Sequence, residues 1–217
     1  MLHSFTYKVF TFKGVMTTKT KAVIFDWGGV MIDDPGPGLM RYCADRLKVT
    51  SSAFTNTFHK FLEEFQTNSI SEDLFWELLC GDLNVEKPTQ ASLWKEAFVS
   101  VYRPRNEMFS LAELLQKSGC KTALLSNTEI PAMDFFIEQR YNCFDFQVFS
   151  CIEGITKPRK KIYEITVKKM GCKPEQAVFI DDKEQMIEGA KQAGLNTILF
   201  ESSGQVKNEL IILGLNL

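Results

Sequence analysis

Five short segments of this chain are apolar at nearly every position, and they limit its fold more than anything else in it. They are "AVIF" (22–25), "KTALLSN" (121–127), "FQVFS" (146–150), "AVFIDD" (177–182) and "TILF" (197–200). A strand with two apolar faces must be covered on both, which is the condition of a strand in a parallel sheet. Helical faces lie between the segments. Met108, Leu111, Leu114 and Leu115 share one face, Ile162, Tyr163, Thr166, Val167 and Met170 another, and Met186, Ile187, Ala190 and Ala193 a third. Gly119, Gly171 and Gly194 stand where these helices should stop. Strands alternating with helices predict an α/β fold, a Rossmann-like doubly wound parallel sheet.

One long block breaks the alternation. Residues 36–103 hold no strand pattern but four amphipathic stretches: Leu39, Met40, Cys43 and Leu47; Phe54, Phe58, Phe61, Leu62 and Phe65; Leu74, Phe75, Leu78 and Leu79; and Leu93, Trp94, Ala97, Phe98 and Val101. Pro35, Gly36 and Pro37 mark the entry and Pro104 the exit. The expectation is an inserted four-helix bundle over residues 35–104, placed as a cap on the carboxyl edge of the sheet, with a core made of 21–34 and 105–217. The phenylalanine repeat reads as packing of that bundle, and His59 as an exposed helix residue. Residues 1–20 read as an N-terminal extension, either a short edge strand through Phe5, Tyr7 and Val9 or a stretch upstream of a start at Met16.

Composition excludes several classes of function. A formal charge of −2 sets up no field for nucleic acid or an anionic membrane. No run approaches the roughly 18 apolar residues of a membrane span, and no signal peptide is evident, so a cytoplasmic protein is expected. The six cysteines form no C-x-x-C pair and read as scattered reduced thiols. Monomer and homodimer are equally open.

Ligands of a parallel sheet bind at the carboxyl ends of its strands. There the sequence places Asp26 after the first strand, Ser126 and Asn127 after the second, Lys157 after the third, and Asp181 with Asp182 after the fourth. Singly, each has a plain structural reading: a turn residue, a helix cap near Pro131, a solvated lysine, a cap for the helix starting near Glu184. Together on one rim they match the needs of phosphoryl transfer. A phosphate dianion repels an attacking carboxylate, and a divalent cation relieves that repulsion. Mg²⁺ takes oxygen ligands, which Asp182, one oxygen of Asp26 and a backbone carbonyl near Gly28 would supply. Lys157 and the Ser126 hydroxyl would hold phosphoryl oxygens, with Asn127 counted in the same phosphate-binding group, while the second Asp26 oxygen attacks phosphorus. Gly28 and Gly29 let backbone amides approach.

In order, "VIFDWGGVMID", "LLSNT", "ITKPRKKIYE" and "AVFIDDKEQMIEGAKQAG" resemble the four motifs of the haloacid dehalogenase-like hydrolase superfamily, over about residues 21–34 and 105–200. The stretch "FDFQVFSCIEGITKPRKKIYEI" looks most like the subgroup containing the amino-terminal phosphatase domain of soluble epoxide hydrolases and bacterial glucose-1-phosphate phosphatases. The resemblance implies an α-helical cap at 36–103, Asp26 as nucleophile, Ser126 on phosphate, Lys157 stabilising charge, and Asp182 with Asp181 serving Mg²⁺. It also implies a phosphomonoesterase acting on a small phosphorylated metabolite, with sugar phosphates among the candidates.

Two positions depart from the pattern. Gly28 stands where most family phosphatases carry a second Asp, the general acid for the leaving group. An acid from the cap or a good leaving group would compensate, and nothing in the sequence selects Asp33 or Asp34 for the role. Met186 stands where the family usually has Asp or Asn. These departures keep two alternatives open: a metal-independent 2-haloacid dehalogenase using the same Asp on carbon, and a non-catalytic ligand-binding descendant. Arg41 and Arg103, near the cap hinges, read as surface residues.

Overall fold

The computed structural model describes residues 20–217. The calls on Phe5–Val9, on Met16 and on the extension before Thr20 fall outside the described residues.

Each doubly apolar segment is a strand: β1 (Ala22–Phe25), β2 (Lys121–Ser126), β3 (Phe146–Phe149), β4 (Ala177–Asp181) and β5 (Asn196–Leu199). All pairings are parallel, in the order β3-β2-β1-β4-β5. The pleat explains the lack of alternation. Val23 and Phe25 enter one core layer with helices α5 (Asn106–Lys117), α6 (Ile130–Glu138) and α10 (Ser203–Ile212). Ala22 and Ile24 enter the opposite layer with α8 (Lys160–Met170) and α9 (Glu184–Gln192). Register aligns Phe25 with Leu124 on one side and Ile180 on the other. One further step sets Asp26 beside Asp181, at the place where the chain reverses its progress across the sheet.

Asp26 directly follows β1, as expected, and its amide donates to the Ile180 carbonyl, 2.9 Å. Lys157 does not follow β3 directly. A single turn, α7 (Ser150–Glu153), comes directly after β3, and Lys157 lies in the loop before α8.

Between β1 and α5 come α1 (Gly36–Leu47), α2 (Ser51–Gln66), α3 (Glu72–Leu83) and α4 (Leu93–Val101). Thr50, Ser71 and Ser92 start the last three. Each hydroxyl accepts the amide three residues on, worth about 1 kcal/mol per cap. The helices close around stacked aromatics: Phe65 on Phe75 with centroids 4.2 Å apart, and Phe58 on Trp94 at 5.1 Å. Such pairs add about 0.5–1.5 kcal/mol beyond burial. Trp27 joins this cluster to the core, packing on Phe98 and Phe136.

The two linkers of the insertion run side by side. Ile32 bridges Pro104, Asp33 N–H donates to the Arg103 carbonyl and Arg105 N–H to the Met31 carbonyl, both 2.9 Å. No helix among the described residues is long and apolar enough to cross a membrane.

Candidate active site

Three segments at the carboxyl edge of the sheet meet at one ammonium. Lys157 Nζ donates to Asp26 Oδ1 at 2.7 Å and to Asp181 Oδ2 at 2.8 Å. All three groups are buried, with Lys157 4% exposed, Asp26 7% and Asp181 0%. Burial works against the lysine charge, but the Asp181 and Asp26 carboxylates outweigh it and hold its pKa above the usual lysine range. For Asp26, burial dominates and pushes the pKa up to about 7, with Lys157 pulling down and Asp181 adding to the rise.

The loop that presents Lys157 is itself held. Asn127 Nδ2 donates to the Lys157 carbonyl, 2.9 Å, and the Lys157 amide donates to Asn127 Oδ1, 2.8 Å. Through these two bonds the Asn127 side chain braces the Lys157 backbone while still lining the cavity. From below, α9 presses on the same loop at Gly189, where a Cβ would lie 2.4 Å from the Pro158 carbonyl oxygen.

Asp26, Asp181 and Asp182 bring one oxygen each to within 4.8 Å of one another, a group that fits a cation. The two members of the aspartate pair differ. Asp181 is occupied, accepting from Lys157 through Oδ2 and from the Lys183 amide through Oδ1 at 2.9 Å. Asp182 Oδ1 is buried with no hydrogen-bond partner among the described residues. An acceptor left bare in this way costs about 1–3 kcal/mol unless something fills it. Burial raises the Asp182 pKa, against the pull of Lys183 and with Asp181 adding to the rise. The buried Trp27 indole N–H also lacks a partner.

Gly29 makes room for Asp182. Its φ is +92°, and a Cβ there would stand 2.4 Å from the Asp182 carboxylate. At Gly28 the crowding comes from Pro35, whose Cδ would lie 3.0 Å from an added Cβ. The proline that opens the insertion thus fills the side where a second aspartate would project.

Above these groups lies a cavity of about 380 Å³, walled by Asp26, Gly28, Ser126, Asn127 and Lys157 from the core and by residues of α1, α2 and α4. Ser126, the last residue of β2 and not the one after it, is beside the carboxylates. The insertion supplies Leu39, Met40, Phe58, Leu62, Trp94 and Phe98, and the polar Gln66. Phe58 thus serves both the packing of the bundle and the cavity wall. His59 is exposed as expected, but it also stands on this wall. Met186 reaches the cavity too, and its carbonyl accepts from the Tyr163 hydroxyl, 2.8 Å.

Sequence reasoning missed Glu129, Arg105 and the cap residues bound to the first of them. Gln66 Nε2 and Trp94 Nε1 donate to the two Glu129 oxygens at 3.1 and 2.9 Å. Arg105 donates to Asp33 Oδ1 at 3.0 Å and to the Gly29 carbonyl at 2.7 Å, which ties the hinge to the glycine turn. Asp33 is taken up by this pair. The Arg103 guanidinium bonds only the Ser100 and Tyr102 carbonyls among the described residues.

A family model described as haloacid dehalogenase-like hydrolase matches residues 20–194. The chain belongs to the haloacid dehalogenase-like hydrolases. Among members and relatives, it is 26% identical over 185 residues to the sesquiterpene phosphatase astK of Aspergillus oryzae, covering 83% of this chain and 89% of that protein. It is 27% identical over 202 residues to mouse acyl-CoA dehydrogenase family member 10, covering 88% of this chain but only 19% of the mouse protein. A Bacteroides thetaiotaomicron HAD family enzyme, solved in complex with magnesium and inorganic phosphate, shares the fold at a TM-score of 0.66 and 20% identity, covering 84% and 94% of the two chains.

Proposed function

We propose that this haloacid dehalogenase-like hydrolase is a Mg²⁺-dependent phosphomonoesterase for a small phosphorylated metabolite. The observation that carries the reading is the ammonium of Lys157 bridging Asp26 and Asp181 beside the bare Asp182 oxygen. A phosphatase relative and a structural neighbour holding magnesium and phosphate support it.

Asp26 and Asp182 are the residues that would hold Mg²⁺, with Asp181 fixing Lys157 and the following turn in place. When bound, the cation would offset the charge of the substrate phosphate and favour the ionised form of Asp26. Lys157 and the Ser126 hydroxyl take non-bridging phosphoryl oxygens, where charge gathers in the transition state. The free oxygen of Asp26 attacks phosphorus as the bond to the leaving oxygen breaks, giving an aspartyl-phosphate and an alkoxide that takes its proton from water. A second water hydrolyses the acyl phosphate, releasing inorganic phosphate and restoring the carboxylate. With Gly28 in place of a carboxylic acid, the leaving oxygen has no proton donor at that position.

The test is phosphate release from p-nitrophenyl phosphate and a panel of metabolite monoesters. Release is expected with Mg²⁺, and it is expected to vanish with EDTA and in Asp26→Asn. No turnover anywhere on the panel, or metal-free halide release from a 2-haloacid, would overturn the reading.

A further inference from the structure

Glu129 follows the second strand's rim and is 5% exposed, yet it lines the same cavity as Asp26. The side-chain N–H groups that reach it, from Gln66 and Trp94, are neutral. No cationic side chain among the described residues offsets its charge, and burial pushes its pKa up with only hydrogen bonds opposing. A buried carboxylate is ordinarily matched by a positive group, because desolvating an unmatched charge is costly. A carboxylate also has about four acceptor sites, more than these neutral N–H groups fill. The neighbouring wall is aromatic and apolar, formed by Phe58, Trp94, Phe98 and Leu39. Aromatic surface beside a carboxylate favours an alkylammonium over a sugar, since a cation gains from the ring quadrupole and from the anion together.

We propose that the cavity accepts phosphate monoesters whose organic part carries an ammonium group, with Glu129 as its counter-charge. The inference rests on the phosphatase reading and names its substrate class. The phosphoryl end meets Asp26, Ser126 and Lys157, and the cationic end lies against Glu129 and the rings of α2 and α4. Core and insertion each contribute half of that second subsite, the carboxylate from the core and the rings from the insertion.

The experiment compares kcat/KM for choline phosphate with that for 3,3-dimethylbutyl phosphate, its neutral isostere with carbon in place of nitrogen. The native chain should prefer the cation by about tenfold or more. Glu129→Gln should bring the ratio close to one, chiefly through KM. A native ratio near one overturns the proposal by itself, so the test stands even where Glu129→Gln does not fold. A preference that survives in Glu129→Gln overturns it in favour of a mere brace between α2, α4 and the core. Hydrolysis of p-nitrophenyl phosphate separates the two failures: turnover without cation preference sinks this inference alone, and no turnover of any ester sinks the phosphatase reading with it.

Discussion

Asp26→Asn should abolish turnover and, without metal, make the protein more stable. Burial raises the Asp26 pKa from 3.8 to about 7, with Lys157 opposing and Asp181 adding. A carboxyl whose pKa is raised by folding keeps its proton longer in the native state than in the unfolded chain. Its contribution to stability is whole below pH 4 and is lost as the pH climbs through about 7. One pH unit corresponds to about 1.4 kcal/mol, so the full loss approaches about 4 kcal/mol, of which about 2–3 kcal/mol falls between pH 5 and 8. The amide has nearly the shape of the acid and no charge to desolvate. It also leaves Lys157 matched one to one with Asp181 at 2.8 Å. Urea denaturation of both proteins in EDTA at pH 5 and pH 8 reads the effect directly. The variant should be the more stable at pH 8, with a gap that widens by about 2–3 kcal/mol over that range. Shifts at other groups common to both proteins cancel in the difference. A gap independent of pH, or a variant weaker than the native chain at pH 8, would refute the reasoning.

Lys157→Met removes the cation between two buried carboxylates and should cost about 3–5 kcal/mol in urea, besides ending phosphate release. Gly29→Ala forces a side chain into a +92° φ and onto the Asp182 carboxylate, so the rise in melting temperature on adding MgCl₂ should largely disappear. Gly189→Ala drives a methyl into the Pro158 carbonyl oxygen. It should destabilise by about 1–3 kcal/mol in thermal melts and lower kcat, because the Lys157 loop must shift.

The sheet was legible because burial on both faces leaves a run that cannot be hidden: Val23 and Phe25 need one layer, Ala22 and Ile24 the other. The rim was legible because a parallel sheet converts positions after strands into neighbours in space. What stayed illegible depended on contacts between distant residues. Asn127 carries the right chemistry for a phosphate ligand, and only the Lys157 backbone, thirty residues on, shows that its amide is also a brace. Glu129 looked like an ordinary residue ahead of a helix. Its partners Gln66 and Trp94 sit in helical faces that periodicity assigns simply to packing. The one available signal was a carboxylate directly preceding the apolar run "IPAMDFFI", where an exposed charge is hard to keep exposed. Gly28 announced a missing acid, but the Pro35 ring that crowds its Cβ side is a contact that spacing cannot reveal.

The paired linkers have a mechanical consequence. Residues 31–33 and 103–105 are laced together by backbone bonds, so the insertion is attached by a ribbon instead of two independent strings. A ribbon bends about one axis and resists twist. Arg105 fastens that ribbon to the Gly29 carbonyl, so any tilt of the four helices is transmitted to the turn that abuts Asp182.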